Sequence, residues 1–565
     1  LGLAVVALFA CGLTLDSSGA VARLPGGPGL TLDETFNVQM GVYHARALRE
    51  YGVAIVHPQS VREVFGARDY NPDHPPLGRL LIGIAHELTA PLLRPDVPVE
   101  AVTVTCGRAA SAGLFALTVL LIGTVTGRWY GTVAGAAAAA SLLLMPRLFA
   151  HAHLASLETG VGLLYAATVL CAADGWQGPR RPRWGWVVAA GVLLGLTLLT
   201  KIQGVLLPIP LAVWALWRWH VRGLWAVVIF GLVGVLVFFV GWPWLWLDPM
   251  NHLREYFGRT TERQVLSCWY LGTKWADRDV PWHYSWVMFL TTVPLGLHAL
   301  GIAGLSVLRR SPSPVAAQGH AGPGDRVARG AWGGRLVLLN VLWPLAFFGL
   351  PGITVYDGSR LFLMVFPLWG VLIGAGFGRL TTWLKTRWGS RLGPAVLGCG
   401  LLLQSYGVIA LHPCQLSYYN LLVGGLRGAS RLGFEVTYWG DSLTRDLLAL
   451  VADDGPHTVY VAPVLHPFQL QELMWDSPAF RSGGVVLRAF DQHQAADVRR
   501  VLVVRRQADS WPALTPAPPR SRLLAEVRRE GVQLAGYYEV SAGAFVPRPP
   551  TDPPRRSAEP GPAER

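Results

Sequence analysis

Charge is scarce in this chain. Charged residues make up 15% of its 565 positions, against about 25% in an ordinary soluble protein, so a water-soluble enzyme is not the reading to start from. Cysteine is scarce too. Cys11, Cys106, Cys171, Cys268, Cys399 and Cys414 form no Cys-x-x-Cys pair and no metal-ligand spacing, which argues against a metal site built on thiolates. Four of them lie in or beside apolar runs, where an inert buried thiol is expected. Cys268 and Cys414 fall in loops placed outside, where a disulfide is chemically permitted but not expected. No internal repeat is clear enough to argue the duplication common in transporters.

What is present in excess is apolar sequence. Hydrophobic residues reach 52%, with 23 Trp, and they are grouped in runs. Many runs attain the roughly 17–25 residues a helix needs to cross a hydrocarbon core. The basic excess, formal net charge +13, lies largely in short loops between those runs. The positive-inside tendency explains it, and nucleic acid is not an expected partner.

The first run, Leu1–Leu15, reads as the remains of a first membrane helix rather than a cleaved signal peptide, and the missing Met marks the N-terminus as truncated. A polar stretch of about ninety residues, 16–107, follows. Apolar runs then lie near 108–126, 130–147, 152–172, 186–200, 203–218 and 223–246. After a second long polar stretch, 247–283, come runs near 284–307, 335–350, 360–378 and 392–411. With 16–107 outside, the inside loops hold Arg128; Arg180, Arg181, Arg183; Arg218, Arg222; Arg309, Arg310, Arg326, Arg329; and Arg379, Lys385, Arg387, Arg391. The short outside loops hold far fewer, chiefly Arg147 and Arg360. The expected architecture is predominantly α, a multi-pass membrane protein of about 11 transmembrane helices. The count requires that Pro75–Leu93 lie at the interface, because Arg79, His86 and Glu87 are costly in a lipid-exposed span. Residues 311–330 read as a flexible inside loop. Beyond the 1–411 membrane unit, 412–548 alternates strand-like runs (458–461, 501–504) with helical ones such as 443–453, a small extracytoplasmic α/β domain. The tail 549–565 reads as disordered.

Candidate chemistry gathers on the outer side. Asp33-Glu34 follow the first run closely, near the membrane face. They are either a solvated pair at a helix start or a carboxylate held for proton abstraction. Asn71-Pro72-Asp73-His74-Pro75-Pro76-Leu77-Gly78-Arg79 leads into a helix, placing His74 and Arg79 near its first turn as donors for an anionic phosphate, or as a plain helix start with a snorkelling Arg. Arg108 and Lys201 sit at outer helix ends, as interfacial anchors or phosphate contacts. Tyr356-Asp357-Gly358-Ser359-Arg360 makes a tight outer turn, with Asp357 and Arg360 as further candidates. His151, His153 and Glu158 cluster at another turn, but their spacing is no recognised metal motif. The aromatics Tyr256, Trp269, Tyr270 and Trp282 in 247–283 read as an interfacial belt or as sugar-stacking faces. Topology drives basic residues inward, so their presence outside beside two carboxylates is the physical argument for a site.

With those residues in view, the sequence resembles the protein O-mannosyltransferase-like branch of the GT-C glycosyltransferases, which includes the aminoarabinose transferase of lipid A. Asp33-Glu34, then His74-Pro75-Pro76-Leu77-Gly78-Arg79-Leu80-Leu81, carry the likeness. Arg108, Leu198-Leu199-Thr200-Lys201, and Gly358-Ser359-Arg360 ahead of Pro367 continue it, over roughly 16–380. The resemblance implies a GT-C fold in the cell (inner) membrane. It implies inverting transfer from a polyprenyl-phosphate sugar on the extracytoplasmic face, to a lipid, glycan or protein acceptor. Asp33 would be the base, Glu34 would assist or position it, and the cations would hold the leaving phosphate. No cofactor or metal is predicted, although the more distant oligosaccharyltransferases of the superfamily use a divalent cation at acidic loop residues. The chain lacks the β-trefoil-like loop domain of eukaryotic protein O-mannosyltransferases and has instead a C-terminal region containing Tyr438-Trp439-Gly440-Asp441-Ser442. The competing reading is a transporter or flippase of lipid-linked saccharides, which would also use outer cations.

Overall fold

The computed structural model describes residues 1–176, 182–261, 264–309, 323–463, 466–491 and 498–545. The expectations for Arg180, Arg181, Arg310 and the tail 549–565 lie outside the described residues, as does most of the 311–330 loop.

The protein is mostly helical and is an integral, multi-pass membrane protein. Among the described residues six helices are long and apolar enough to cross a bilayer: Val104–Tyr130, Leu157–Gly175, Ile202–Trp219, Val221–Val240, Val365–Trp388 and Leu392–Ala410. Two further pieces, Tyr284–Thr292 and Leu295–Arg309, meet at a 108° bend. Pro294, which has no N–H to continue a helix, stands at that break. Shorter apolar helices occupy Gly2–Gly12, Thr132–Leu143 and Trp184–Thr200. Each of the eleven apolar runs therefore carries helix, while six meet the length and composition of a span unaided. One boundary differs from expectation. The chain is helical from Pro323 to Phe347, so 323–330 is not loop: the Arg-Val-Ala-Arg stretch propagates the helix ahead of its apolar part.

Burial separates the lipid face from the core. Val221–Val240 turns Val228, Leu232, Val235 and Leu236 outward, all exposed, as a helix bordering lipid should. Val365–Trp388 keeps Val365 to Phe377 buried and forms the centre of the bundle.

Two helices of the first polar stretch build the floor of the site. Leu32–Tyr51 and Pro76–Leu93 cross so closely that a Cβ on Gly83 would stand 1.8 Å from the Gly41 carbonyl oxygen, and one on Gly41 would stand 2.3 Å from that of Arg79. Pro76 pre-sets the first turn. Glu87 receives Arg46 and Arg49 at 3.1 Å each, and His86 Nε2 accepts the Thr103 N–H at 3.1 Å. The polar residues that argued against a lipid-exposed span are thus satisfied within the protein.

The long loop 247–283 carries a hairpin, β1 (Ser267–Tyr270) and β2 (Thr273–Ala276), antiparallel with Tyr270 opposite Thr273. Leu271 and Gly272 both have positive φ, as a type I′ turn requires. The C-terminal region contains β3 (Thr458–Ala462), β4 (Val486–Ala489), β5 (Arg500–Val504), β6 (Ser521–Arg529) and β7 (Val532–Val540), in the order β4-β3-β5-β7-β6. The β4-β3-β5 pairs are parallel and the rest antiparallel. All six cysteines are free thiols.

Candidate functional site

Asp33 and Glu34 are adjacent in sequence and opposite in circumstance. Both lie in the first turn of Leu32–Tyr51, where the helix dipole favours carboxylates. Glu34 turns inward and is fully buried. Its Oε2 accepts the Thr31 N–H at 2.9 Å and Arg108 Nη2 at 2.7 Å, and its Oε1 accepts Arg108 Nε and the Ala155 N–H, both at 2.7 Å. Arg108 directs its remaining N–H groups to the carbonyls of Leu15, Pro28 and Gly29. All five guanidinium donors are spent on the protein. This corrects two expectations: Arg108 has no donor left for a lipid phosphate, and Glu34 does not face a substrate. Together they brace the turn that presents Asp33.

The Asp33 side chain is 29% exposed and points the other way, into a cluster assembled from distant segments. Its Oδ2 is engaged by Arg360 Nη2. Arg360 Nε donates to Glu158 Oε1 at 2.8 Å and Nη1 to Asp357 Oδ2 at 3.2 Å. Lys201 Nζ binds the same Glu158 oxygen. Asp357 adopts φ +54, and this left-handed turn sends its carboxylate back toward Arg360. Asp357 is thus a partner of cations. Its negative charge would repel an anionic lipid phosphate.

Arg79 completes the cluster differently. It is buried, and it donates Nε to Asn37 Oδ1 at 3.3 Å and Nη1 to the Asn71 carbonyl at 3.0 Å. Among the described residues it makes no ion pair. A buried cation without a carboxylate is costly and invites an anionic ligand. His74 is half-buried beside it. Partial burial and the cations Arg79, Lys201 and Arg360 push its pKa well below the usual histidine value, so it meets a ligand as a neutral donor or acceptor.

Three participants, Glu158, Trp439 and Arg506, were given no part in the transfer site by the sequence. Glu158 bridges Lys201 and Arg360, although its sequence spacing fitted only a weak metal pattern; an acidic residue at the start of an apolar helix was its signal. Among the described residues no group of three metal-binding side chains exists. His153 is structural, with Nδ1 against the Phe149 carbonyl at 2.8 Å and Nε2 against Thr14 Oγ1 at 2.9 Å. Trp439 and Arg506 come from the C-terminal region. The Trp439 ring lies 4.1 Å from the Arg360 guanidinium carbon, and Arg506 Nη2 reaches Asp357 Oδ1 at 3.4 Å. Nothing in the sequence pairs them with a membrane-helix turn.

Residues 73–246 match the family model described as dolichyl-phosphate-mannose-protein mannosyltransferase. That segment includes Arg79, Arg108, Glu158 and Lys201. No curated protein matches the chain. Among solved structures, ArnT from Cupriavidus metallidurans, bound to undecaprenyl phosphate, shares 16% identity, covering 97% of this chain and 98% of that one, with a TM-score of 0.49. The archaeal oligosaccharyltransferase AglB from Archaeoglobus fulgidus, in complex with an inhibitory peptide and a dolichol-phosphate, shares 11% identity over 89% of this chain and 69% of its own, with a TM-score of 0.45. Both scores fall below 0.5.

Proposed function

We propose that this chain is a membrane glycosyltransferase of the GT-C superfamily that transfers a sugar from a polyprenyl-phosphate carrier to an acceptor hydroxyl, with Asp33 as general base. The observation that carries this reading is the pairing of opposites at one place. Among the described residues Arg79 is a buried cation without an ion pair, and it lies beside a cluster whose partly exposed carboxylate is Asp33.

Arg360 engages Asp33. The donor phosphate would settle among Arg79, Lys201 and Arg360, with His74 at its edge. Competition for Arg360 then releases the Asp33 carboxylate toward the acceptor. The acceptor oxygen bonds to the sugar C1 as the C1–O bond to phosphate breaks. The electron pair leaves on the phosphate oxygen and the hydroxyl proton passes to Asp33. One displacement inverts the anomeric centre. Cations fixed where charge develops lower the barrier because they need no reorganisation. Glu34, Arg108 and Asp357 act as positioning residues.

The basic residues of the short loops support placing this site on the extracytoplasmic face of the cell (inner) membrane, with eleven crossings, 412–548 on the same side and 549–565 as a tail. The donor is a polyprenyl-phosphate sugar; the acceptor is a lipid, glycan or protein. The test is purified Asp33→Asn incubated with polyprenyl-phosphate mannose, glucose and aminoarabinose, scoring free lipid phosphate. Loss of a general base predicts a fall of about 10²–10⁴-fold with normal membrane insertion. Undiminished transfer by the variant overturns the role, and so does a wild-type protein inert toward every polyprenyl-phosphate sugar.

A further inference from the structure

We infer that the C-terminal region is part of the catalytic centre, because it supplies two positioning residues, Trp439 and Arg506, that hold Arg360 and Asp357 in register. The inference rests on the transfer reading above. Arg360 makes three side-chain bonds, to Asp33, Glu158 and Asp357, and is the cation that must exchange a carboxylate for a phosphate. Its guanidinium plane is supported by the buried Trp439 ring at 4.1 Å, within cation–π range. Asp357 is shared. One oxygen takes Arg360 at 3.2 Å and the other faces Arg506 at 3.4 Å.

Arg506 is itself anchored. Its Nη1 donates to the Tyr438 carbonyl at 2.5 Å, one residue before Trp439, and its Nε pairs with Asp509 at 2.8 Å. It follows β5 by two residues, so the sheet sets its position. Trp439 is fixed from the other side: the Gly29 N–H donates to the Asp441 carbonyl at 2.8 Å, close to the turn that carries Asp33. The same short segment thus touches Arg360 and the loop that leads into the Asp33 turn.

This arrangement has a titration consequence. Burial raises the Asp357 pKa, while Arg506 and then Arg360 draw it down; Asp33 pushes it up. Glu435 also faces it, itself raised to about 8 by burial, and Tyr438 and Cys268 feel its charge. Asp357 must be ionised to hold Arg360. Removing Arg506 raises its pKa further, so it protonates at a higher pH and activity is lost earlier on acidification.

The experiment is the pH profile of kcat for the full-length protein and for Arg506→Ala, Arg506→Lys and Trp439→Phe, with the polyprenyl-phosphate sugar the wild type turns over. In Arg506→Ala the acid limb moves up by about one pH unit, the scale of losing a nearby opposite charge, and kcat recovers at alkaline pH. Arg506→Lys returns the limb toward the wild-type position, and Trp439→Phe, with a weaker aromatic face beneath Arg360, lowers kcat by about three- to tenfold, while an unchanged kcat there overturns the part given to Trp439. An unmoved limb in Arg506→Ala, or a uniform loss at every pH, overturns the inference while leaving the transfer reading intact. A wild-type protein without transferase activity sinks the transfer reading instead.

Discussion

At the scale of single residues, two neighbouring carboxylates demonstrate that position in the chain does not fix role. Glu34 has every oxygen occupied and a buried guanidinium against it; Asp33 has one cation and partial exposure. The two should therefore fail in different ways. Arg108→Ala leaves the Glu34 charge buried and unpaired, which costs about 3–5 kcal/mol. It is expected to lower the detergent melting temperature and the yield of monodisperse protein. Asp33→Asn should melt like the wild type and fail in turnover. If Arg108→Ala melts normally but cannot bind lipid phosphate, the structural assignment of Arg108 is wrong.

At the scale of elements, the contact between Leu32–Tyr51 and Pro76–Leu93 decides how far Asp33 stands from Arg79. With Gly83 against the Gly41 carbonyl there is no space for a side chain. Gly83→Val should force the helices apart, destabilise by about 1–3 kcal/mol, and reduce turnover at least tenfold even in the fraction that folds. Turnover and melting curves of the extracted variant decide this. Such elements also show what the sequence could and could not disclose. The apolar runs, a helix at 76–93 and the strands at 458–461 and 501–504 were readable, because run length and period report directly on burial. Arg79, Lys201 and Arg360 drew attention because basic residues on the side expected to lie outside need a reason, and the structure brings Lys201 and Arg360 together on Glu158 beside Asp33. The division of labour between Asp33 and Glu34 was not readable. It depends on which side of one helical turn meets Arg108, seventy-odd residues away. Trp439 and Arg506 were out of reach for the same reason: cation–π and ion-pair partners across 79 and 149 residues leave no periodic trace. The hairpin at 267–276 had a signal, Leu271-Gly272 between aromatic strands, that an aromatic-belt reading concealed.

At the scale of the whole molecule, Asp33, Glu158, Lys201, Arg360 and Trp439 meet at one point. A chain that leaves a point on one face of a bilayer and comes back to it has made an even number of passages. Between Asp33 and Glu158 lies one long span, Val104–Tyr130. On the proposed topology the 12-residue Thr132–Leu143 helix, extended by Pro146–His151, makes the return. On the same proposal Trp184–Thr200 passes back after Leu157–Gly175, between Glu158 and Lys201. The bent pair at 284–309 and the Pro323–Phe347 helix stand or fall together. Single cysteines introduced at Gly131, Arg183 and His220 are accordingly expected to react with an impermeant thiol reagent from the face opposite Asp33. Short helices can close these hairpins because the meeting point of the charges need not lie at the bilayer surface. Each turn that delivers a charged side chain is also the place where the chain reverses, and the ion pairs are what keep the hairpins in register.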